Sequence, residues 1–253
     1  MKRFLVILLS LLLVCCACER KAGRGPGSQN ANVRISRRET TRASNNRSSE
    51  NRHITTIHTI STNNGEMSAA DLFEMYNTAV FMIFTSDGWN EHQGSGFFIS
   101  RDGVAVSNYH VFQGTDIGYE QIKLSDGSTY KVQEVIARSS EDDVIVFRVD
   151  GRGKTFNCIP IAKQLPRIGE KAYAIGSPRG LENTFSSGEI SQIRGDDIFQ
   201  ITVPIDHGSS GGVLLNAKGE AIGITSAGID DSGANLNFAI SIDVLKKHVN
   251  LSD

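Results

Sequence analysis

The apolar positions divide the chain into three stretches of different character. Phe4 to Val14 is about eleven nearly unbroken apolar residues. From Glu19 to about Gly65 apolar residues are scattered without period among Ser, Asn, Arg, Thr and Gly, and aromatic residues are few. From Ser68 onward the pattern becomes ordered. Ser68-Ala69-Ala70-Asp71 places an acid three residues after a serine, a helix start, and Leu72, Phe73, Met75, Tyr76 and Ala79 give the helix an apolar side. Beyond it, short runs rich in Val, Ile, Phe and Thr recur: "GFFIS", "VAVSN", "YKVQEVIA", "VIVFRV", "KAYAIG", "FQITVP", "GVLLN" and "EAIGITS". Turn signals such as Asp87-Gly88, Asp102-Gly103, Asp126-Gly127, Asp150-Gly151 and Lys218-Gly219 separate them. About twelve such runs precede the next helical periodicity, at Val244 to Val249, which predicts a short C-terminal helix. The body is therefore expected to be all-β, a sandwich or barrel, and twelve strands suffice for two small barrels.

The first stretch reads as a targeting segment. Met1-Lys2-Arg3 is a positive n-region, and the apolar run after it is too short to span a bilayer. "CCAC", Cys15 to Cys18, follows directly and resembles the lipobox of bacterial lipoproteins, in which a cysteine is lipidated and becomes the mature N-terminus. Cys16 has Leu13 and Val14 suitably placed but Cys15 where a small residue is usual; Cys18 has Ala17 suitably placed but cysteines further back. The resemblance implies lipidation at Cys16 or Cys18 and attachment to a bacterial envelope membrane; the alternative is a plain secretory signal or an uncleaved anchor. Residues 19–65 cannot bury enough apolar surface to offset the entropy of ordering, so a disordered tether is expected there. The resulting division is 1–18 signal or lipoprotein segment, 19–65 tether, 66–253 folded domain.

Charge and cysteine content sharpen this picture. The 253 residues carry a net charge of -2, with 39% hydrophobic and 21% charged residues, as in ordinary globular proteins. From Glu19 to His53 there are about nine Lys/Arg against three Asp/Glu, and from Ile54 on about fifteen against twenty-five. A basic tether precedes an acidic body, and the body gives no reason to expect nucleic acid as a partner. Outside the N-terminal cluster only Cys158 remains, so no internal disulfide forms and Cys158 reads as a small buried apolar residue. His53 and His58 have no ligand cluster around them; neither a metal site nor a cofactor is expected.

Three islands carry chemistry. "GVAVSNYHVFQG" holds His110 just after a predicted strand, "SSEDDVIVFRV" holds Asp143 at the mouth of another, and "DHGSSGGVLL" holds Ser210 entering a third. Acyl transfer by a serine needs a base for the hydroxyl proton, an anion to orient that base, and N–H donors for the developing oxyanion. The glycines of Gly208-Ser209-Ser210-Gly211-Gly212 permit a tight turn and close approach of a substrate carbonyl.

"GSSGG" in this context resembles the G-x-S-G-G motif of the chymotrypsin-like (trypsin-fold) serine proteases, and the finer match is to the bacterial HtrA/Deg type. "GSGFFISRDGVAVSNYHVF", "DDVIVFRV", "IGSPRGLENTFSSGEIS", "PIDHGSSGGVLLNAKGEAIGI" and "NLNFAIS" resemble that family in order, from about Asp71 to Leu245. The resemblance implies two antiparallel six-stranded β-barrels with a short N-terminal and a short C-terminal helix. It implies a serine endopeptidase acting on protein or peptide substrates, with Ser210 as nucleophile, His110 as general base and acid, and Asp143 as orienting carboxylate. The N–H groups of Gly208 and Ser210 would form the oxyanion hole. Asp143, rather than Asp142, directly precedes the aliphatic run, and Ser210, rather than Ser209, is followed by Gly-Gly.

The same resemblance places the pocket for the residue before the scissile bond between two segments. One contains Pro204 and Ile205, the other Thr225, Ser226, Ala227 and Gly228. A carboxylate at its base would stand at Pro204, and the histidine of glutamate-specific relatives would stand at Thr225. Without either charge, a preference for Val, Ala or Leu is expected. Ser209 and Val213 replace the family's usual Asn and Pro, which bears on substrate fit. The chain runs only about ten residues past "FAISI", so the regulation and assembly tied to PDZ domains are not carried over, and the oligomeric state is open. The alternative function is a trypsin-fold module that binds peptides or partners without turnover; the intact triad argues against it.

Overall fold

The computed structural model describes residues 55–59, 65–177, 183–229 and 236–252. The signal segment, both lipidation candidates and the tether up to residue 54 lie outside the described residues. Among the described residues there are fifteen strands: β1 Thr56–His58, β2 Val80–Ser86, β3 Glu91–Phe98, β4 Val104–Ser107, β5 Gln121–Leu124, β6 Thr129–Tyr130, β7 Val132–Ser139, β8 Val144–Val149, β9 Lys171–Gly176, β10 Thr184–Arg194, β11 Ile198–Ile201, β12 Val213–Leu215, β13 Ala221–Ile229, β14 Leu236–Ser241 and β15 Asn250–Ser252. Helix α1 is Ala69–Tyr76 and helix α2 is Tyr109–Phe112.

Helix α1 forms where the sequence predicts it. The Ser68 hydroxyl accepts from the Asp71 N–H at 3.2 Å, satisfying one of the free donors of the first turn, and Leu72 and Tyr76 share the buried face. The C-terminal helical segment is a 3₁₀ helix, Ile242–Lys247, rather than an α-helix, and begins two residues earlier than the periodicity suggested.

Strands β2 to β8 make the first barrel and β9 to β14 the second. The second is closed, in the order β10-β11-β14-β13-β12-β9. The first is a seven-stranded sheet, β6-β5-β2-β3-β4-β8-β7, rather than six separate strands joined in a ring. Its two end strands are consecutive in the chain and separated only by Lys131, so one bent run of chain pairs with β5 on one side and β8 on the other.

The core has three parts. Phe81, Phe98, Phe112, Phe147 and Phe156 fill the first barrel, with Phe98 stacked on Phe156 at 4.3 Å between ring centroids. The second barrel is filled by smaller groups, among them Ala162, Ala172, Ala174 and Ala239 around Phe199. A third layer lies between the barrels and contains Val106, Val146, Ile175, Val213 and Ile224. Strands on this layer are buried on both faces: in β8, Val144 and Val146 face the layer while Ile145 and Phe147 face the barrel interior. This is why "VIVF" reads as a continuous apolar run rather than an alternating one. Cys158 is a free thiol buried in the first barrel, and burial pushes its pKa up, so it behaves as an apolar filler.

Two surface features depart from the expectation or stand outside it. Residues 55–59, assigned to the disordered tether, belong to the folded body. Strand β1 pairs in parallel with β15, and Ile57 enters the shared layer. The β2–β3 hairpin carries Trp89 at its tip, 95% exposed. The Asp87 carboxylate accepts from the backbone N–H groups of Asn90 and Trp89, and those bonds hold its pKa below the usual carboxylate range.

Ile57→Ala should lower the stability of the body by about 2–4 kcal/mol, the usual cost of truncating a buried aliphatic side chain. Urea unfolding followed by circular dichroism measures it; a free tether would show no change.

Candidate active site

The first barrel supplies a histidine and a carboxylate. Strand β4 ends at Ser107, and the extended backbone of Asn108 starts the single turn of α2 that carries His110. Asp143 stands just before β8 and holds this turn twice. Its Oδ1 accepts from the His110 backbone N–H at 2.9 Å, and its Oδ2 lies 2.8 Å from His110 Nδ1. The Asn108 side-chain amide donates to the Asp143 carbonyl at 3.0 Å. These contacts hold Asp143 in a left-handed conformation, φ 50, which costs a non-glycine residue on the order of 1 kcal/mol. A carboxylate can only accept, so Nδ1 carries the ring hydrogen and Nε2 is left basic. Asp142 turns the other way, to His248 Nε2 at 2.8 Å and Lys247 Nζ at 3.3 Å. Of the two adjacent acids, Asp143 is therefore the one that meets His110.

The second barrel supplies a tight loop between β11 and β12. Ser209 is buried and Ser210 half-buried. The carbonyls of the loop are held one after another. Gly208 C=O accepts from Ser95 Oγ at 2.7 Å, Ser209 C=O from Thr225 Oγ1 at 2.6 Å, and Ser210 C=O from the Ser95 N–H at 2.8 Å. The N–H groups of Ser209, Gly211 and Gly212 are occupied as well, donating to Asp206, Thr225 and Ser209 carbonyls. Among the described residues, the N–H groups of Gly208 and Ser210 have no partner within the protein. Two unpaired donors two residues apart, in a loop whose neighbouring N–H groups are committed, are suited to receive an anion.

Close approaches bring the halves together. A Cβ on Gly94 would stand 2.6 Å from the Val111 side chain and 3.2 Å from the Ser210 carbonyl, so the residue after His110 and the backbone of Ser210 flank one glycine. A Cβ on Gly211 would stand 2.1 Å from the Ser95 carbonyl and 2.3 Å from Ser107 Oγ. Gly211 has φ +87, so both its conformation and its surroundings demand glycine. Among the described residues, Ser210 Oγ has no hydrogen-bond partner.

The expected pocket residues are placed differently from one another. Pro204 is exposed, and its carbonyl accepts from Ser186 Oγ at 3.0 Å. Ile205 is half-buried against the second-barrel core. Thr225 is 1% exposed and its hydroxyl is committed to Ser209, so it braces the serine loop instead of offering a polar group to a pocket. Ser226 lines a cavity of about 530 Å³ together with Asp143, Asp197 and Phe238. Ala227 and Gly228 belong to β13, and the side chain of Ala227 lies outside what the structure describes. Asp206 is exposed and its carboxylate accepts from the neighbouring His207 N–H. Sequence reasoning missed Ser95 and Asn108. The available signal for Ser95 was a serine between two glycines immediately before a strand-forming run.

The barrel pair with this site at its junction is the architecture of trypsin-like peptidases, and the comparisons agree. Residues 94–224 match the trypsin-like peptidase domain family, which is half of the chain, and the protein belongs to that family. Its relatives are of the HtrA/DegP type. It is 34% identical over 164 residues to Protease Do-like 1 of Arabidopsis thaliana, covering 60% of this chain and 36% of that protein. It is 39% identical over 160 residues to a probable periplasmic serine endoprotease, DegP-like, of Halomonas elongata, covering 60% of this chain and 33% of that protein. The crystal structure of the serine endoprotease from Yersinia pestis superposes with a TM-score of 0.64 at 25% identity, over 73% of this chain and 66% of that one. The chain spans about a third of the length of these curated relatives.

Gly211→Ala should cost on the order of 3 kcal/mol or leave no folded protein, because its Cβ has no space and its backbone no relaxed alternative. Gly118→Ala, also at positive φ but with open space around it, should cost only about 1 kcal/mol. Comparing the two midpoints in urea separates the clash from the backbone term.

Proposed function

We propose that the protein is a serine endopeptidase in which Ser210, His110 and Asp143 form the catalytic triad. The observation that carries this reading is the His110–Asp143 pair, set beside a serine loop with two unpaired N–H groups. Ser210 Oγ attacks the substrate carbonyl carbon as its proton passes to His110 Nε2, and Asp143 steadies the imidazolium through Nδ1–H. The tetrahedral oxyanion rests on the N–H groups of Gly208 and Ser210, each worth on the order of 10²–10³ in rate. His110 then gives its proton to the leaving amine, and water repeats the sequence to release the acyl group.

The substrates proposed are proteins or peptides of the bacterial envelope, in quality control or processing. This draws on relatives named as periplasmic DegP-like endoproteases. Pro204, without charge, supports cleavage after small or medium aliphatic residues. Anchoring through a lipid on Cys16 or Cys18 rests on the sequence of the N-terminal segment, with residues 19–54 as tether.

Ser210→Ala should abolish labelling by a fluorophosphonate probe and hydrolysis of a degenerate peptide library while leaving the melting temperature near that of the wild type. Asp143→Asn should fold and be slowed about 10⁴-fold through loss of the correct histidine tautomer. The library should be cut after Val, Ala or Leu; dominant cleavage after Arg or Lys would mean that Asp206 reaches the pocket. A folded wild type that binds peptides yet neither labels nor cleaves them would make the protein a binding module.

Metabolic labelling with a palmitate analogue should tag the protein, and the tag should disappear when Cys16 and Cys18 are both replaced. An untagged, freely released wild type would remove the anchor and leave the protease reading untouched.

A further inference from the structure

Ser95 reaches the serine loop from the opposite barrel. Its N–H donates to the Ser210 carbonyl at 2.8 Å, and its hydroxyl lies 2.7 Å from the Gly208 carbonyl and 2.9 Å from the Ser177 N. A carbonyl can only accept and an N–H can only donate. The Ser95 hydroxyl therefore takes the hydrogen of Ser177 and gives its own to Gly208, so the direction of both bonds is fixed. Ser95 is 0% exposed, and water does not compete for these groups.

The two carbonyls that Ser95 holds belong to the two residues whose N–H groups are unpaired. Gly208, at φ 94, has no side chain to oppose rotation of its backbone. A hydrogen bond on its carbonyl restrains the peptide that follows it. The Ser209 carbonyl is held separately by Thr225, which turns the Ser210 N–H, on the opposite side of the same planar peptide, away from the core.

We infer that Ser95 is a positioning residue for the oxyanion-binding pair: its hydroxyl, aimed by the Ser177 N–H, fixes the Gly208–Ser209 peptide, which links the two peptides that carry the Gly208 and Ser210 N–H groups, and so limits their rotation before substrate arrives. The kinetic half of this inference rests on the serine endopeptidase reading; the structural half does not. Alignment in advance matters because donors that must reorganise during the reaction lose much of their effect on the transition state.

The test uses the full chain with Ser95→Ala and the slightly larger Ser95→Cys, whose thiol is a weak donor. Steady-state hydrolysis of a peptide substrate and amide hydrogen exchange are measured side by side. Both variants should lower kcat about ten- to a hundredfold, less than outright deletion of an oxyanion donor, with KM within about twofold. Exchange at Ser209, Gly211 and Gly212 should quicken about tenfold or more, while Val146 and Phe147 in β8 keep their wild-type protection. Wild-type kcat in both variants, or wild-type exchange in the loop, overturns the inference. So does an equal loss of protection through both barrels, which would make Ser95 a general structural residue. If the wild type itself neither hydrolyses peptide nor labels with the probe, the activity reading fails, and the exchange comparison still decides whether Ser95 holds the loop.

Discussion

The apolar layer that belongs to both barrels at once is what the remaining structure depends on. Val106 on β4, Val146 on β8, Ile175 on β9 and Val213 on β12 all face it. Each such side chain contributes about 1.5–3 kcal/mol when taken from water, more than a typical hydrogen bond at about 0.5–1.5 kcal/mol. The layer therefore brings the barrels together, and the polar contacts set how they meet. The same four strands deliver the site. His110 follows β4, Asp143 precedes β8, Ser177 follows β9, and the serine loop precedes β12. Residues at the ends of well-anchored strands are free to be polar while their positions are inherited from the core.

Polar contacts also cross the junction. Gln93 Nε2 donates to the Ser177 carbonyl at 2.7 Å and Ser95 spans Ser177, Gly208 and Ser210, while within the first barrel Ser107 Oγ donates to the Ser95 carbonyl at 2.8 Å. Each buried donor or acceptor would be costly if left alone, so the set tolerates little relative movement of the barrels. The left-handed backbone of Asp143 belongs to the same economy of position: a locally unfavourable conformation persists because His110 and Asn108 hold it from both sides.

Much of this was legible in the sequence, for identifiable reasons. Strands β8 and β9 coincide with the runs "VIVFRV" and "KAYAIG", because burial on both faces leaves an unbroken apolar signature. Ser68 announced α1 through a local capping contact. What escaped was long-range or too short to carry a period. The run "YKVQEVIA" reads as one strand, and only the paired partners β5 and β8 reveal the bend at Lys131. Strand β1 buries Ile57 among polar neighbours, and its partner β15 lies at the far end of the chain. Ser95 finds its acceptor 113 residues away, which no local pattern encodes. Thr225 suggested a pocket wall by analogy of position, but a hydroxyl facing a carbonyl at 2.6 Å has another use.

The exposed hairpin tip has an optical consequence. Trp89 is the single tryptophan of the chain, and it stands almost fully in water in the native fold. Its indole emission is already that of a solvated ring, so unfolding changes the signal little, and the intrinsic fluorescence that ordinarily reports on a β-barrel core is nearly silent here. The aromatic rings that do fill the first barrel are phenylalanines, which emit weakly. The same indole becomes a selective reporter for anything that settles on the tip of the β2–β3 hairpin, because no buried tryptophan competes with it.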